Sequence, residues 1–450
     1  MREDILRRYE GQRVPRYTSY PTAPHFTAAV DAAAYRAWLA AVPETTVLSV
    51  YLHVPFCTTL CWYCGCHTKI TARYGPVGEY LERLEREIDL VAGLLPRRMA
   101  VGRIHWGGGT PTIAGPAAFG QIMDRLRARF DVVPQAEVAV EADPRRLEPS
   151  MIEALVRAGV GRVSLGVQTL DPAVQAAINR IQPLEVVRRA VEGLRAAGIG
   201  RLNFDLLYGL PGQTVDCCVR TAEQAAALAP DRLAVFGYAH VPWMKTHQRL
   251  IDEAALPGAA ARLAQFDAIA ATLAAAGYRA VGLDHFARPD DALARALDAH
   301  RLRRNFQGYT DDDCGALIGF GASAIGTLPQ GHVQNAPSLN AYARQIDAGG
   351  PATARGMALG PDDRLRGAVI EEIMCYQSVD LGAVACRHGR TAAAFGRERA
   401  ALAGLAAEGI VTLEGDRVTV APPFRPLMRS VAAVFDAYLE AGGGRYAQAV

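Results

Sequence analysis

Through the first two-thirds of the chain, short apolar runs alternate with longer stretches in which apolar residues recur every three or four positions. The runs stand at about 46–54, 101–106 (VGRIHW), 136–142 (AEVAVEA), 161–167 (GRVSLGV), 201–207 (RLNFDLL) and 232–238 (RLAVFGY). Between them, stretches such as EYLERLEREIDLVAGLL and PAAFGQIMDRLRARF carry the spacing of amphipathic helices. Repeated strand–helix units predict a parallel sheet, and about six of them predict an α/β protein built as an open or closed barrel. In either form the loops after the strands gather on one face. CTTLCWYCGC, GGGTPT, VEADP, GVQTL and GLPGQT all follow apolar runs and are expected to meet there.

The remainder has another texture. From about residue 355 to 450 the pattern is mostly helical (DDRLRGAVIEEIMCY, TAAAFGRERAALAGLAAEG), with VTLEGDRVTV reading as a hairpin around Glu-Gly-Asp. A small helical C-terminal domain with a wing-like hairpin fits that text. Residues 1–40 have weak periodicity, and PRYTSYPTAP is rich in proline and aromatic residues, so this segment is expected to lie as an arm over a barrel domain spanning 41–330.

Composition narrows the setting. A chain of 450 residues exceeds a single small core, and half of it is apolar with 21% charged, enough to fold without covalent staples. Nine cysteines, an odd number, argue against a secreted disulfide framework. No apolar run reaches the ~18 residues that span a bilayer, and the N-terminal text has no signal-like apolar core. A reducing, cytoplasmic setting is expected, with no membrane. A net charge of +2 gives no sign of nucleic-acid binding.

Four of the nine cysteines crowd into CTTLCWYCGC, residues 57–66. Adjacent disulfides do not suit a reducing compartment. A zinc site usually draws two pairs from separated knuckles, and the Cys61/Cys64 pair lacks a thioredoxin-like setting. Thiolates spaced as Cys57-x3-Cys61-x2-Cys64 suit an iron–sulfur cluster, and three ligands for four irons leave one iron open to a substrate or cofactor. Cys66 is then spare.

This spacing, after the first strand of a βα barrel and with a glycine-rich loop after the second, resembles the signature of radical S-adenosylmethionine (SAM) enzymes. The resemblance extends to the oxygen-independent coproporphyrinogen III oxidase family. YLHVPFCTTLCWYCGC, HWGGGTPT, VEADPR, SLGVQ, NFDLLYGLPGQT, DRLAVFGYAHVP, GLDHFARPDD and RRNFQGYT carry it in order and spacing, from about residue 15 into the C-terminal domain. Cys66 is a further mark, since related haem chaperones usually have Phe there. Tyr63 departs from the Phe that the family commonly has before its third cysteine, but stays aromatic.

The resemblance implies a partial (β/α)6-type radical SAM barrel. It implies a [4Fe-4S] cluster on Cys57, Cys61 and Cys64, one SAM bound to the cluster and a second nearby. Gly108 is expected to let the backbone approach the cofactor's methionine end. Glu141 is expected to hold a ribose hydroxyl or the ammonium, and Tyr51 to pack beside the cofactor; these two are also the expected catalytic residues. Tyr63, Gly109, Thr110, Gln168, Arg180, Asp205, Ala239 and Ile325 match positions assigned to the second SAM. Arg180 suits a carboxylate and Asp205 an ammonium, although each also reads as a structural ion pair.

The activity implied is oxidative decarboxylation of two propionate side chains of coproporphyrinogen III to vinyl groups, giving protoporphyrinogen IX in anaerobic haem biosynthesis by way of a 5′-deoxyadenosyl radical. A reducing donor such as a flavodoxin-type system and a monomeric state come with it. Arg16, Arg288, Arg303 and Arg304 are candidate partners for the substrate carboxylates. His53 and His285 read as core or supporting histidines. The alternatives are a radical-SAM-like haem chaperone or haem-handling protein, and a zinc-stabilised binding protein.

Overall fold

The computed structural model describes residues 2–9 and 12–439; Met1, Glu10 and Gly11 of the expected arm and 440–450 of the expected C-terminal domain lie outside the described residues. Six parallel strands form the centre: β1 (Leu48–Val54), β2 (Ala100–Gly108), β3 (Asp131–Ala142), β4 (Arg162–Gln168), β5 (Arg201–Tyr208) and β6 (Arg232–Gly237). Each pairs in parallel with the next. All six coincide with the apolar runs within a few residues, the largest difference being the start of β3, where Asp131–Glu137 is exposed or half-buried.

The sheet grows at both edges. Beyond β6 it adds β8 (His285–Ala287) and β7 (Arg279–Val281), both antiparallel. On the other edge β9 (Ala316–Phe320) runs parallel to β1, followed by the antiparallel β10 (Ile325–Leu328), β11 (Gly331–Asn335) and β12 (Thr353–Ala358). The resulting twelve-stranded order is β12-β11-β10-β9-β1-β2-β3-β4-β5-β6-β8-β7. The sheet therefore continues past residue 330, as a hairpin extension that the helix-like text around it conceals.

The strands alternate with a period of two, and the alternation decides where chemistry collects. Leu48, Val50, Leu52 and Val54 of β1 join the main apolar core, as do Val163, Leu165 and Val167 of β4 and Leu202, Phe204 and Leu206 of β5. The intervening positions carry polar groups. Toward the strands' beginnings Arg103, Glu137, Arg162 and Arg232 form an ion-pair layer with Asp291 and Asp311, the shortest contact being Arg232–Asp291 at 2.6 Å. Toward the strands' ends the same face carries Glu141, Gly166, Gln168 and Asp205.

A second core unites Leu365, Val369, Ile370, Ile373, Val418 and Val420 with Ile5, Leu6, Val14, Tyr17 and Tyr20 from the N-terminus. The helix Pro361–Tyr376 and the hairpin of Val411–Glu414 with Arg417–Val420 build it. Residues 1–40 divide between the two cores, because Val30, Tyr35 and Leu39 pack with the barrel.

One buried polar knot closes the β1–β9 seam beside the cysteine loop. Glu87, 1% exposed on the helix Gly75–Leu94, accepts from Gly321 N (2.7 Å), Asn335 Nδ2 (2.6 Å) and the Tyr342 hydroxyl (2.8 Å). Tyr80 donates to His53 O at 2.6 Å and accepts from Ala322 N. Burial pushes the Glu87 carboxyl up to about 7 from 4.5. Between those values the folded protein keeps a proton that the unfolded chain has released, so this group's contribution to stability falls as pH rises. Glu87→Gln does not titrate. The melting-temperature gap between wild type and this variant is expected to narrow from pH 5 to pH 7.5, by an equivalent of at most about 3 kcal/mol; a gap that stays constant would refute the assignment.

Candidate active site

The site is built where β2 presses its end against β1. Gly109 N donates to Val54 O and Thr110 N to Phe56 O, both at 2.9 Å, so the ladder runs on beyond β1 to the residue before Cys57. A Cβ on Gly107 would stand 2.8 Å from the Tyr51 ring and 2.9 Å from Glu141 Oε1; one on Gly109 would stand 2.6 Å from Phe56 O. Gly108 has φ +120°, and its Cβ would meet Val54 O at 2.8 Å. Its missing side chain therefore lets β2 close on strand β1, and Gly108 itself stands in the wall of the cavity described below. Its N–H donates to Glu141 Oε2 at 3.1 Å, and Glu141 Oε1 lies 3.3 Å from His105 Nε2.

The cysteine loop that follows is held from several sides. The Thr110 and Thr68 hydroxyls both lie 3.4 Å from Cys57 Sγ. Arg180 Nη1 and Arg145 Nη2 point at Cys61 Sγ from 3.5 and 3.8 Å. A hydrogen bond from the Cys66 thiol favours the thiolate of Cys64 and lowers its pKa. The loop backbone is clasped by the segment after β6: Gln248 Nε2 donates to Tyr63 O (2.9 Å) and Lys245 Nζ to Cys66 O (2.8 Å), while His247 Nε2 lies 2.8 Å from Cys64 O. Gln248 is fully buried, and its Oε1 takes Val241 N at 2.6 Å. Trp62 and Tyr63 pack against a small apolar cluster of Val174, Ile178, Leu210, Tyr238 and Ile251.

In front of the loop lies a cavity of about 550 Å³. Its lining takes Cys57, Cys61, Tyr63 and Cys64 from the loop after β1, and Gly108, Gly109 and Thr110 from β2 and its loop. Glu141 comes from β3, Gln168 from β4, Arg180 from beyond β4, Asp205 from β5 and Ala239 from beyond β6. Cys66 is exposed on the same wall. Two expected residues do not line it. Tyr51 stands behind Glu141, stacked on His105 at 5.9 Å and with its hydroxyl 3.0 Å from His53 Nδ1, and Ile325 begins β10. His53 is buried, its Nε2 3.0 Å from His67 O; His285 is bound to Asp284 at 2.8 Å.

Charge inside the cavity is unevenly partnered. Burial, aided by the nearby Glu141, pushes the Asp205 carboxyl up to about 7, against a 3.0 Å hydrogen bond from Asn203. Burial alone would raise Asp143 as well, but Arg145 and Arg180 hold it below the usual range. Arg180 is 7% exposed; it donates to Gly166 O at 2.7 Å and meets Asp143 at 3.5 Å, while its buried Nε has no partner. Gln168 holds φ +67°, a strained conformation for a residue with a side chain and a mark of cavity edges.

Sequence reasoning missed Asp143 and Arg145, although VEADPR puts them two and four positions after Glu141. It also missed Lys245, His247 and Gln248, whose text carries no signal of a partner so distant along the chain.

A loop of four thiols with two guanidinium donors beside it, at the C-terminal mouth of a parallel barrel, suits an anionic iron–sulfur cluster. The radical SAM superfamily model matches residues 51–225. This is a radical SAM enzyme, and an iron–sulfur cluster and SAM come with that class. The chain is 53% identical over its full length, and over the full length of its relative, to an oxygen-independent coproporphyrinogen III oxidase of Bradyrhizobium diazoefficiens. It is 42% identical to the enzyme of that name in Paracoccus denitrificans, over 97% of this chain and 96% of the relative. A solved coproporphyrinogen III oxidase of Escherichia coli, described as a radical SAM enzyme, superposes with a TM-score of 0.90 at 37% identity, covering 95% of this chain and all of that one. The chain belongs to the oxygen-independent coproporphyrinogen III oxidase family, and the haem-handling and zinc-protein readings give way to it.

Because the Gly108 Cβ would collide with β1, Gly108→Val is expected to lower melting temperature and iron content together. Loss of SAM binding with iron content intact would show that the collision does not govern this loop.

Proposed function

We propose that this protein decarboxylates two propionate side chains of coproporphyrinogen III to vinyl groups, yielding protoporphyrinogen IX without oxygen. The supporting observation is the meeting, in one cavity, of the three-cysteine loop with polar residues from successive barrel strands, in a chain that belongs to the oxidase family over its whole length. Cys57, Cys61 and Cys64 would hold a [4Fe-4S] cluster and leave its fourth iron open, with Cys66 outside the ligand set. A bound cluster and SAM supply one-electron cleavage and abstraction of a hydrogen atom. Each propionate would then give up a β-hydrogen atom to the 5′-deoxyadenosyl radical, carbon dioxide, and one further electron to a one-electron acceptor.

The residues themselves position, neutralise and exclude water. Glu141, set by Gly108 N and His105, faces the cavity as an acceptor for the ammonium or a ribose hydroxyl of SAM. Tyr51 supports it from behind through His105. Gly109, Thr110, Tyr63, Gln168, Arg180, Asp205 and Ala239 make up the proposed second SAM site, with Ile325 in the supporting wall. Arg180 is committed to Gly166 and Asp143, which leaves its unpartnered Nε for a carboxylate. The barrel of 41–330 is the proposed catalytic unit, with 1–40 as an arm over it and 355–450 as a small, mostly helical C-terminal domain with a short hairpin. A reducing donor of flavodoxin type, a monomeric state and a cytoplasmic location complete the proposal; among the described residues no helix is long and apolar enough to cross a membrane.

Anaerobic incubation with coproporphyrinogen III, SAM and a strong reductant is expected to yield protoporphyrinogen IX; its absence would overturn the activity. Single replacement of Cys57, Cys61 or Cys64 by alanine is expected to abolish iron, acid-labile sulfide and the brown chromophore, whereas Cys66→Ala keeps them. Equal loss at Cys66 would refute the ligand set.

Asp205 yields a pH signature. With its carboxyl at about 7 in the free protein, binding an ammonium must expel a proton below that pH. Affinity for the second SAM should rise by up to about ten-fold per pH unit below 7, stop rising above it, and fall again where the α-ammonium, with a pKa of about 8, loses its own proton. Asp205→Asn should bind weakly with a flat profile; an unchanged profile would remove Asp205 from the site.

A further inference from the structure

A second cavity, of about 340 Å³, shares Arg16, Phe236, Gly237, Tyr238 and Ala239 with the cysteine cavity and opens beside it. Its lining gathers five arginines from four parts of the chain: Arg13 and Arg16 from the N-terminal segment, Arg262 from the helix Ala259–Ala275, Arg304 from the hairpin at 303–310, and Arg429 from near the C-terminus. Against them the lining holds one carboxylate, Asp284, which burial would raise but His285 and the arginines hold down to about 2.

The arginines are held by the backbone. Arg262 Nη1 donates to Tyr238 O at 2.8 Å, and Arg304 donates to Tyr17 O and Arg16 O at 3.2 Å each. Arg262 Nε and Arg304 Nη1 are buried and have no partner. Burial and the charge of Arg16 lower Arg429 to about 10. Guanidinium groups fixed by carbonyls and crowded by like charge carry a desolvation cost that an incoming carboxylate offsets. The walls between them are aromatic and flat: Arg262 lies over Tyr208 at 5.7 Å and Arg13 over Trp243 at 5.9 Å.

We propose that this cavity seats the propionate carboxylates of the macrocycle that are not reacting, with Arg262 and Arg304 as the anchoring pair and Arg16 at the shared rim. The inference rests on the coproporphyrinogen reading above and deepens it. The substrate's four carboxylates stand around a wide ring, so one edge is held by guanidinium groups while another reaches past Phe236 and Ala239 toward the cysteine loop. Of the four arginines picked out in the sequence, Arg16 and Arg304 line this cavity. Arg288 and Arg303 line neither; they pair with Asp290 at 3.6 Å and Glu371 at 3.3 Å.

The test uses anaerobic full-length holoprotein and coproporphyrin III, the oxidised fluorescent form of the substrate, as probe. Arg262→Gln and Arg304→Gln are each expected to weaken its binding at least ten-fold and to raise KM far more than they lower kcat. Iron content and SAM stoichiometry should match wild type, which separates the effect from misfolding. Arg262→Lys should recover part of the loss, and Arg303→Gln should bind as wild type. Wild type should also prefer coproporphyrin III to deuteroporphyrin IX, which has two propionates instead of four, and Arg262→Gln should narrow that preference. Binding by both glutamine variants within two-fold of wild type would overturn the proposal. Arginine-dependent binding by a wild type that forms no protoporphyrinogen IX would keep the anion site and overturn the activity instead.

Discussion

The contact of Gly109 N with Val54 O, and of Thr110 N with Phe56 O, is the constraint on which the site depends. A parallel ladder normally ends with its strands, and the loops beyond are free to diverge. Here three consecutive positions without side chains let β2 follow β1 past its end, so the first cysteine leaves a backbone already fixed on one side. Larger residues there would meet the Tyr51 ring, Val54 O and Phe56 O at distances no Cβ occupies. Glu141 comes from the next strand and binds the Gly108 N–H, so the same approach that places the cysteines also aims the carboxylate.

The rest of the barrel answers a second demand, to keep a polar interior inside an apolar shell. Strand residues facing the helices bury as a continuous core. Those facing inward pair into a closed ion network at one end and stay open around a cavity at the other. Charged groups at the closed end pair with opposite charges, whereas at the open end burial pushes the Asp205 carboxyl up to about 7 and Arg180 leaves a donor unused. This difference between two ends of one barrel is the physical sense in which one is scaffold and the other site.

Much of this was legible in the sequence because it is local. A buried parallel strand needs an apolar run, and all six were visible. The cysteine spacing and the triple glycine are likewise contained within a few residues. What escaped was long-range. The sheet's extension through β10, β11 and β12 rests on the pairing of short segments such as Gly331–Asn335 with Thr353–Ala358, each too brief to announce itself. The division of residues 1–40 between two cores depends on which partner each apolar residue finds, as Val14 and Val30 do in different cores. Arg303 and Arg304 are neighbours with opposite fates, one paired with Glu371 and one in the arginine cavity, because successive residues of a strand face opposite ways.

The clasp on the cysteine loop has a consequence in time. Lys245, His247 and Gln248 lie 179, 183 and 185 residues after the carbonyls they meet. A chain is made from its N-terminus at roughly 5–20 residues per second, so the thiols emerge well ahead of the groups that fix their loop. Until the segment after β6 has been made, those three carbonyls lack the partners that hold them in the folded protein. The loop that carries the thiols therefore gains its full set of backbone contacts only when β6 and the segment after it are in place.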